Sequence, residues 1–360
     1  MAIFAPAAQP STHGRSLRLF VSTCDEQVGY TFSHALLVGP SATAIDKLFC
    51  GVSDTESQLA QELEHLGAQL VLHRPGSHCT NPDQATAKVS ALETVATATG
   101  CFDLIGTLRR CDAALLIPAH AASAQPAHLW TRLLDTAKEA GVGKVFMMSV
   151  VGAHGAPYPH LRSFTMREEA FRKTFVDDTS YPTTHGGGPV RVRIVRKTLP
   201  HENLMLYRQL IREHGTIPLP IANGMFAPIS MSDVVAGILA MLSLARPPTR
   251  DGHGVERDDG EELVVQFTGP EALTGRMITE YASQVLSANL TFEPMPLTEV
   301  REFLRGNPRL HREEVDYLIE VYQAVQHNRM ASLSPELTKL LGHPRLKVRQ
   351  FLEHNQDQFR

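Results

Sequence analysis

The chain has 360 residues, 43% apolar and 20% charged, the balance of a soluble globular protein able to bury a sizeable core. Its formal net charge of −4 provides no general field for DNA or an anionic membrane, and no apolar run approaches the roughly 18 residues of a spanning helix. Five cysteines without a CxxC pair fit reduced thiols in the cytoplasm, and seventeen scattered histidines without an HExxH or Cys/His cluster predict no metal site.

Residues 1–15 lack a basic start followed by an apolar core and read as a disordered tail. Residues 17–22 suit a first strand and 30–37 a first helix. Between them lies Thr23-Cys24-Asp25-Glu26-Gln27-Val28-Gly29. A dinucleotide fold places a glycine-rich turn here, so that a pyrophosphate can reach the backbone N–H groups of the helix start. Only Gly29 stands where that turn needs a glycine. Asp25 and Glu26 put two carboxylates in the turn, each expected to oppose a phosphate by about 1 to 4 kcal/mol near 4 Å. The segment is either an atypical phosphate loop using Thr23, Val28 and Gly29, or a strand–turn–helix connection that binds nothing.

Ile45–Val52 reads as the second strand. No arginine follows it to meet a 2′-phosphate, whereas Asp54 can meet a ribose or sit at the N-cap region of a helix over 55–66. A third strand over 69–73, a loop over 76–84 and a helical region over 87–110 come next. The next stretch is the most informative. Residues 112–118 form a short apolar run, Leu129, Leu133, Leu134 and Ala137 recur at helical spacing, and Gly141 with Gly143 stops that helix. Residues 145–151 form a second apolar run. Strand, helix and strand in so short a stretch make a right-handed crossover with parallel strands. A doubly wound sheet opens its ligand crevice at the carboxyl ends of its strands, so Ser149, Val151 and the loop to Gly155 point at a site.

Residues 166–175 are helical and 179–189 form an insertion rich in helix breakers. A strand over 190–195 and an amphipathic helix over 203–214 follow, then a helix over 233–244 capped by Ser232. A charged linker over 246–262, a last strand over 263–268, a helix over 272–288 and a short strand over 292–295 precede a helical carboxyl end. Arg191, Arg193, Arg196 and Lys197 alternate along a strand, which splits the basic cluster between two faces and supports no nucleic-acid surface.

Several long patterns in this order resemble the NmrA-like family, an atypical branch of the short-chain dehydrogenase/reductase superfamily. Residues 140–153 (AGVGKVFMMSVVGA) are similar to the family's "AGVKRVVYLSSVGA", and Ile194-Val195-Arg196 with Glu202-Asn203-Leu204 to its "ILRPGFFMENL". Residues 215–233, 263–296 and 334–351 follow its later segments, so the resemblance runs from about Leu17 to Phe351. It implies an α/β fold: a Rossmann-type, doubly wound parallel sheet over 16–200 and a smaller α+β lobe over 201–360, intertwined with the first domain. The chain departs from the family's "GATGxxG" at Thr23, Asp25 and Glu26, and carries Lys197-Thr198 where the family has Pro-Gly. That lysine either adds a charge beside the cleft or faces water.

The resemblance implies NADP or NAD as cofactor and two functional readings. One is an NAD(P)H-dependent reductase of a small organic acceptor such as a quinone, enone or iminium, suited to a pathway tailoring step. The other is a non-catalytic dinucleotide sensor that acts, in cytoplasm or nucleus, through a protein partner. Reductases of the superfamily use a Tyr-x-x-x-Lys pair; the nearest match is Tyr158 with Arg162, where Pro157 and Pro159 are expected to prevent the helix that would align them. Arg167 falls near the lysine that replaces this pair in many NmrA-like reductases, and can hold a ribose or a carbonyl without donating a proton. His154 and His160 follow the switch-point strand and can donate a proton near neutral pH, or stand by as loop residues.

Overall fold

The computed structural model describes residues 17–72, 104–119, 127–178, 184–185, 188–243 and 263–360. Seven parallel strands form its centre: β1 (Leu17–Val21), β2 (Ile45–Val52), β3 (Gln69–Leu72), β4 (Ala113–Leu116), β5 (Lys144–Val150), β6 (Arg191–Lys197) and β7 (Val264–Phe267). Their spatial order is β7-β6-β5-β4-β1-β2-β3, so the winding reverses between β1 and β4 and opens a crevice there. Strands covered on both faces need apolar residues in succession, and all four residues of β4 are buried. In β1, Leu19 and Val21 enter one layer and Phe20 the other. Full burial of such a side chain contributes about 1.5–3 kcal/mol.

The α-helices of the described residues are α1 (Gln27–Val38), α2 (Gln58–His65), α3 (Leu104–Leu108), α4 (Ala127–Ala140), α5 (Pro159–Arg172), α6 (Arg208–His214), α7 (Met231–Ser243), α8 (Gly275–Leu286), α9 (Leu297–Arg305), α10 (Arg312–Gln326), α11 (Glu336–Leu341), α12 (Val348–His354) and α13 (Gln356–Phe359). Residues of α1, α7 and α11 share the core on one face of the sheet, and residues of α4 and α5 that on the other. Helices α8, α9, α10 and α12 surround a third core with Leu161 and Phe164 of α5, in which the Tyr207 hydroxyl donates to that of Tyr322 at 2.9 Å. Elements beyond residue 200 therefore serve both bodies: β7 completes the sheet and α7 covers it. Among the described residues, no helix is long and apolar enough to cross a membrane.

Three local expectations are corrected. Pro157 and Pro159 do not prevent a helix, because Pro159 takes the first helical position, where its missing N–H is not needed, and Arg162 N–H bonds the Tyr158 carbonyl at 2.8 Å. Helix α7 begins before Ser232, and the Ser230 hydroxyl accepts the Ser232 N–H at 3.2 Å. Ser57, not Asp54, caps α2 by accepting from Ala60 N–H. The expectations for 1–15, 76–84 and 246–262, with most of those for 87–110 and 179–189, fall outside the described residues.

Candidate functional site

The crevice is built first from the turn after β1. Ile117 N–H beyond β4 donates to Ser22 Oγ at 2.7 Å, and Ser22 Oγ donates to the Ile117 carbonyl at 3.0 Å. Thr23 bonds the same carbonyl at 2.7 Å and takes a φ of 59°, a left-handed conformation that glycine fills without strain. Gly29 is required by close approach, since a Cβ there would lie 2.1 Å from the Thr23 carbonyl oxygen. Val28 beside it lines the cavity described below.

Asp25 does not face the crevice. It is 3% exposed, and its Oδ2 accepts from Ser53 N–H at 2.7 Å, the Ser53 hydroxyl at 2.5 Å and Asp54 N–H at 3.1 Å. Three donors absorb its charge, so it ties the end of β2 to the turn, and the expected repulsion of a phosphate by this residue is corrected. Asp54 itself is exposed and accepts Glu56 N–H at 3.0 Å.

The carboxylate that meets the start of α1 comes from the lobe. Glu314, in the first turn of α10 and 2% exposed, accepts Gln27 N–H at 2.6 Å through Oε1 and His311 N–H at 3.0 Å through Oε2. A helix N-terminus leaves its first N–H groups unpaired and favours negative charge, so this contact satisfies α1 as an anion would. Arg309 braces the approach, pairing with Glu62 of α2 at 2.7 Å and lying 5.2 Å above the Tyr30 ring. Sequence reasoning missed Glu314; a Glu-Glu pair at a helix start reads as ordinary first-turn acidity.

Arg167 of α5 lies across the crevice. Its Nη1 donates to the Ala119 carbonyl beyond β4 at 2.8 Å, its guanidinium sits 5.9 Å above Phe164, and Trp130 Nε1–H holds its carbonyl at 3.1 Å. Burial lowers its proton affinity and the charge of Glu26 partly restores it, which places Glu26 near Arg167. Ser149 is buried, its hydroxyl donating to Glu168 at 2.6 Å; Arg196 grips the same carboxylate at 2.9 and 2.5 Å. That hydroxyl is therefore spent inside the protein. Val151 N–H bonds the Lys197 carbonyl at 2.9 Å. Tyr158 turns away to the lobe, its hydroxyl 3.0 Å from His327 Nδ1, while His160 pairs with Glu320 at 2.7 Å and His154 is exposed. Thr23 and Arg167 thus both bond backbone carbonyls beyond β4, with Val28 and Gly29 in the helix start that follows Thr23; the Ser149 hydroxyl is taken by Glu168, Tyr158 turns to His327, and Asp54 and His154 are exposed.

Beneath α10 runs a cavity from Gln27 and Val28 past Val150 to Lys197, Thr198 and Asn203, walled by Tyr317, Leu318 and Val321. About 30 Å³ is open to the centres of water molecules. That is room for two or three waters at about 10–15 Å³ each. Lys197 lines this cavity and not the outer surface: it is 4% exposed, and burial pulls its ammonium down to about 8 while Glu202 pulls back. Burial also pushes Glu202 up to about 7 and His201 down to about 4.

No protein-family model matches the chain. A curated relative, an NAD(P)H azoreductase of Xenophilus azovorans, is 24% identical over 143 residues, 40% of this chain and 45% of that protein, so the match spans less than half of the relative. Solved structures align along nearly the whole chain. The NADPH-dependent quinone oxidoreductase of Escherichia coli, complexed with NADPH, superposes with a TM-score of 0.60 at 18% identity, covering 93% of this chain and 99% of that one. The triphenylmethane reductase of Citrobacter sp., complexed with NADP(H), gives 0.58 at 14% identity over 93% and 99%. The UDP-glucuronic acid 4-epimerase of Bacillus cereus, with UDP-glucuronic acid and NAD, gives 0.52 at 13% over 95% and 99%. At these identities the likeness establishes the Rossmann-type fold.

Proposed function

We propose that this chain is an NAD(P)H-linked oxidoreductase of the NmrA-like type that reduces a small organic acceptor, and that α10 closes its dinucleotide groove in the form described. The observation that carries the reading is the 2.6 Å bond from Gln27 N–H to the Glu314 carboxylate. A backbone N–H at the start of α1, beside the switch point, takes an anionic oxygen where doubly wound sheets take a phosphate. The donors fit a pyrophosphate once Glu314 leaves them. Thr23 and Gly29 supply the turn, the first N–H groups of α1 would hold the phosphates, and Arg167 would offer its remaining donors to a ribose or to the acceptor's carbonyl. When bound, a reduced nicotinamide supplies the hydride, so the protein has only to position the partners and exclude water. The solved relatives crystallised with NADPH, NADP(H) and NAD support the choice of ligand.

Calorimetric titration of the protein and of Glu314→Gln with NADPH and NADH tests this. Micromolar binding by the variant, followed by turnover in a screen of quinones and enones, is expected. Binding without turnover of any acceptor would move the reading to a dinucleotide sensor. No binding by either protein at millimolar ligand would overturn the reading altogether.

A further inference from the structure

Buried and half-buried cations along β5 and β6 mostly have acceptors. Lys144 Nζ donates to the Leu242 carbonyl at 2.6 Å, Arg191 to the Met241 carbonyl at 2.9 Å, and Arg196 to Glu168. Lys197 differs. It lines the cavity beneath α10, and its ammonium has no hydrogen-bond or ion-pair partner among the described residues. The cavity around it is mostly apolar, with Val150, Leu199, Leu318 and Val321 in its wall, and Asn203 is a polar neighbour whose side chain makes no bond to a described residue. A buried lysine without a protein partner is costly to keep charged, and beyond the few waters that the cavity admits, a ligand that relieves it would bring an oxygen, preferably anionic, on a short apolar body.

We infer that this cavity is a binding site for a small carboxylate, held by a charge-assisted hydrogen bond from Lys197 with the Asn203 amide beside it. The free volume suits a two- or three-carbon acid, or the carboxylate end of a longer one. The ionisable groups that face Lys197 do not replace such a ligand. Glu202, whose charge acts on Lys197, is not within ion-pair distance of it; its Oε1 accepts Met231 N–H at 3.0 Å and its Oε2 is buried without a hydrogen-bond partner among the described residues. Glu314 has both oxygens engaged at the far end of the cavity, and burial keeps the Tyr317 phenol protonated. This goes beyond the dinucleotide reading, because the site needs no cofactor and no movement of α10.

Propionate is the probe, and full-length protein labelled with ¹³C at the lysine ε-carbons is the reporter. One lysine resonance, absent from Lys197→Met, should titrate near pH 8 in the free protein and move toward the ordinary lysine range as millimolar propionate is added. Lys197→Met should weaken propionate at least tenfold, about 1.4 kcal/mol. It replaces a buried charge by an apolar side chain of similar length, so it should melt no lower than the parent. Val321→Phe, which fills the cavity and leaves Lys197 in place, should abolish binding as well. Propionate that leaves the Lys197 resonance unmoved, or that binds Lys197→Met as tightly as the parent, would overturn the assignment. So would equal binding of neutral propionamide.

Discussion

Replacing Glu314 with glutamine separates the charge at the start of α1 from the packing of α10. The side chain keeps its volume and can still offer one oxygen to Gln27 N–H, now 2.6 Å from the carboxylate. A hydrogen bond to a charged group contributes about 1.5–3 kcal/mol and a neutral one about 0.5–1.5, so the exchange costs about 1–1.5 kcal/mol. The second contact, from His311 N–H at 3.0 Å, then meets an amide that donates instead of accepting, which adds to the loss. The same charge opposes a pyrophosphate: like charges about 4 Å apart repel by about 4 kcal/mol at the effective dielectric of a protein surface and about 1 in water. Even the lower figure approaches the 1.4 kcal/mol of a tenfold change in affinity. The variant should therefore melt below the parent and bind NADPH about tenfold tighter or better, by calorimetry. Glu313→Gln removes the same net charge one residue away and controls for long-range electrostatics. If Glu314→Gln melts lower but binds NADPH no more tightly than Glu313→Gln, the carboxylate does not stand in the phosphate's place.

Asp25→Asn should cost about 2–3 kcal/mol in chemical denaturation, since its amide oxygen would meet the same three donors at the end of β2 without the charge that strengthens each bond, and should leave NADPH affinity unimproved. Glu168→Gln should cost about 3–5 kcal/mol by stranding the Arg196 guanidinium, whereas Glu168→Leu with Arg196→Met should recover much of that; equal losses would show that the pair is not the cause. The pH response of the His201–Glu202 pair has a definite sign. Burial lowers His201 from 6.5 to about 4, so its contribution is complete above pH 6.5 and is lost as pH falls toward 4. Burial raises Glu202 from 4.5 to about 7, so its contribution is complete below pH 4.5 and is lost as pH rises through 7. The two slopes oppose each other in the parent. His201→Gln removes one, and its stability relative to the parent should fall by up to about 3 kcal/mol as pH rises from about 4.5 to 7, followed by urea denaturation at each pH.

Much of the sheet is legible in the sequence because strands buried on both faces read as apolar runs whatever surrounds them. β2 matches its expected bounds and β5 lies one residue from them, for that reason. Gly29 is legible too, because the need for close approach to the turn is local. Long-range partners are not. Asp25 reads as a charge in a phosphate loop until β2 brings Ser53 and Asp54 to it, 28 and 29 residues away. Glu314 meets Gln27 across 287 residues, and nothing near either residue announces the other. Lys197 carries a partial signal, a lysine at the end of a buried strand where the resembling family has proline. Its burial depends on α10, whose position follows from lobe packing.

The groove beneath α10 is therefore two chemically opposite ends under one cover. At the α1 end, N–H groups meet a carboxylate supplied by the chain; at the β6 end, an ammonium supplied by the chain has no partner among the described residues. A dinucleotide must displace the first, while a small carboxylate can answer the second without displacing anything. Because Glu314 and the Tyr317–Val321 wall belong to the same helix, a ligand that lifts the helix start from Gln27 also changes the wall around Lys197. Whatever factor one ligand imposes on the other's affinity must then be returned in equal measure, since coupling between two binding equilibria is reciprocal. Glu314→Gln weakens the contact without touching Lys197, so a change in propionate affinity in that variant reports how far the start of α10 and the wall around Lys197 move together. An unchanged affinity means that the helix start moves alone.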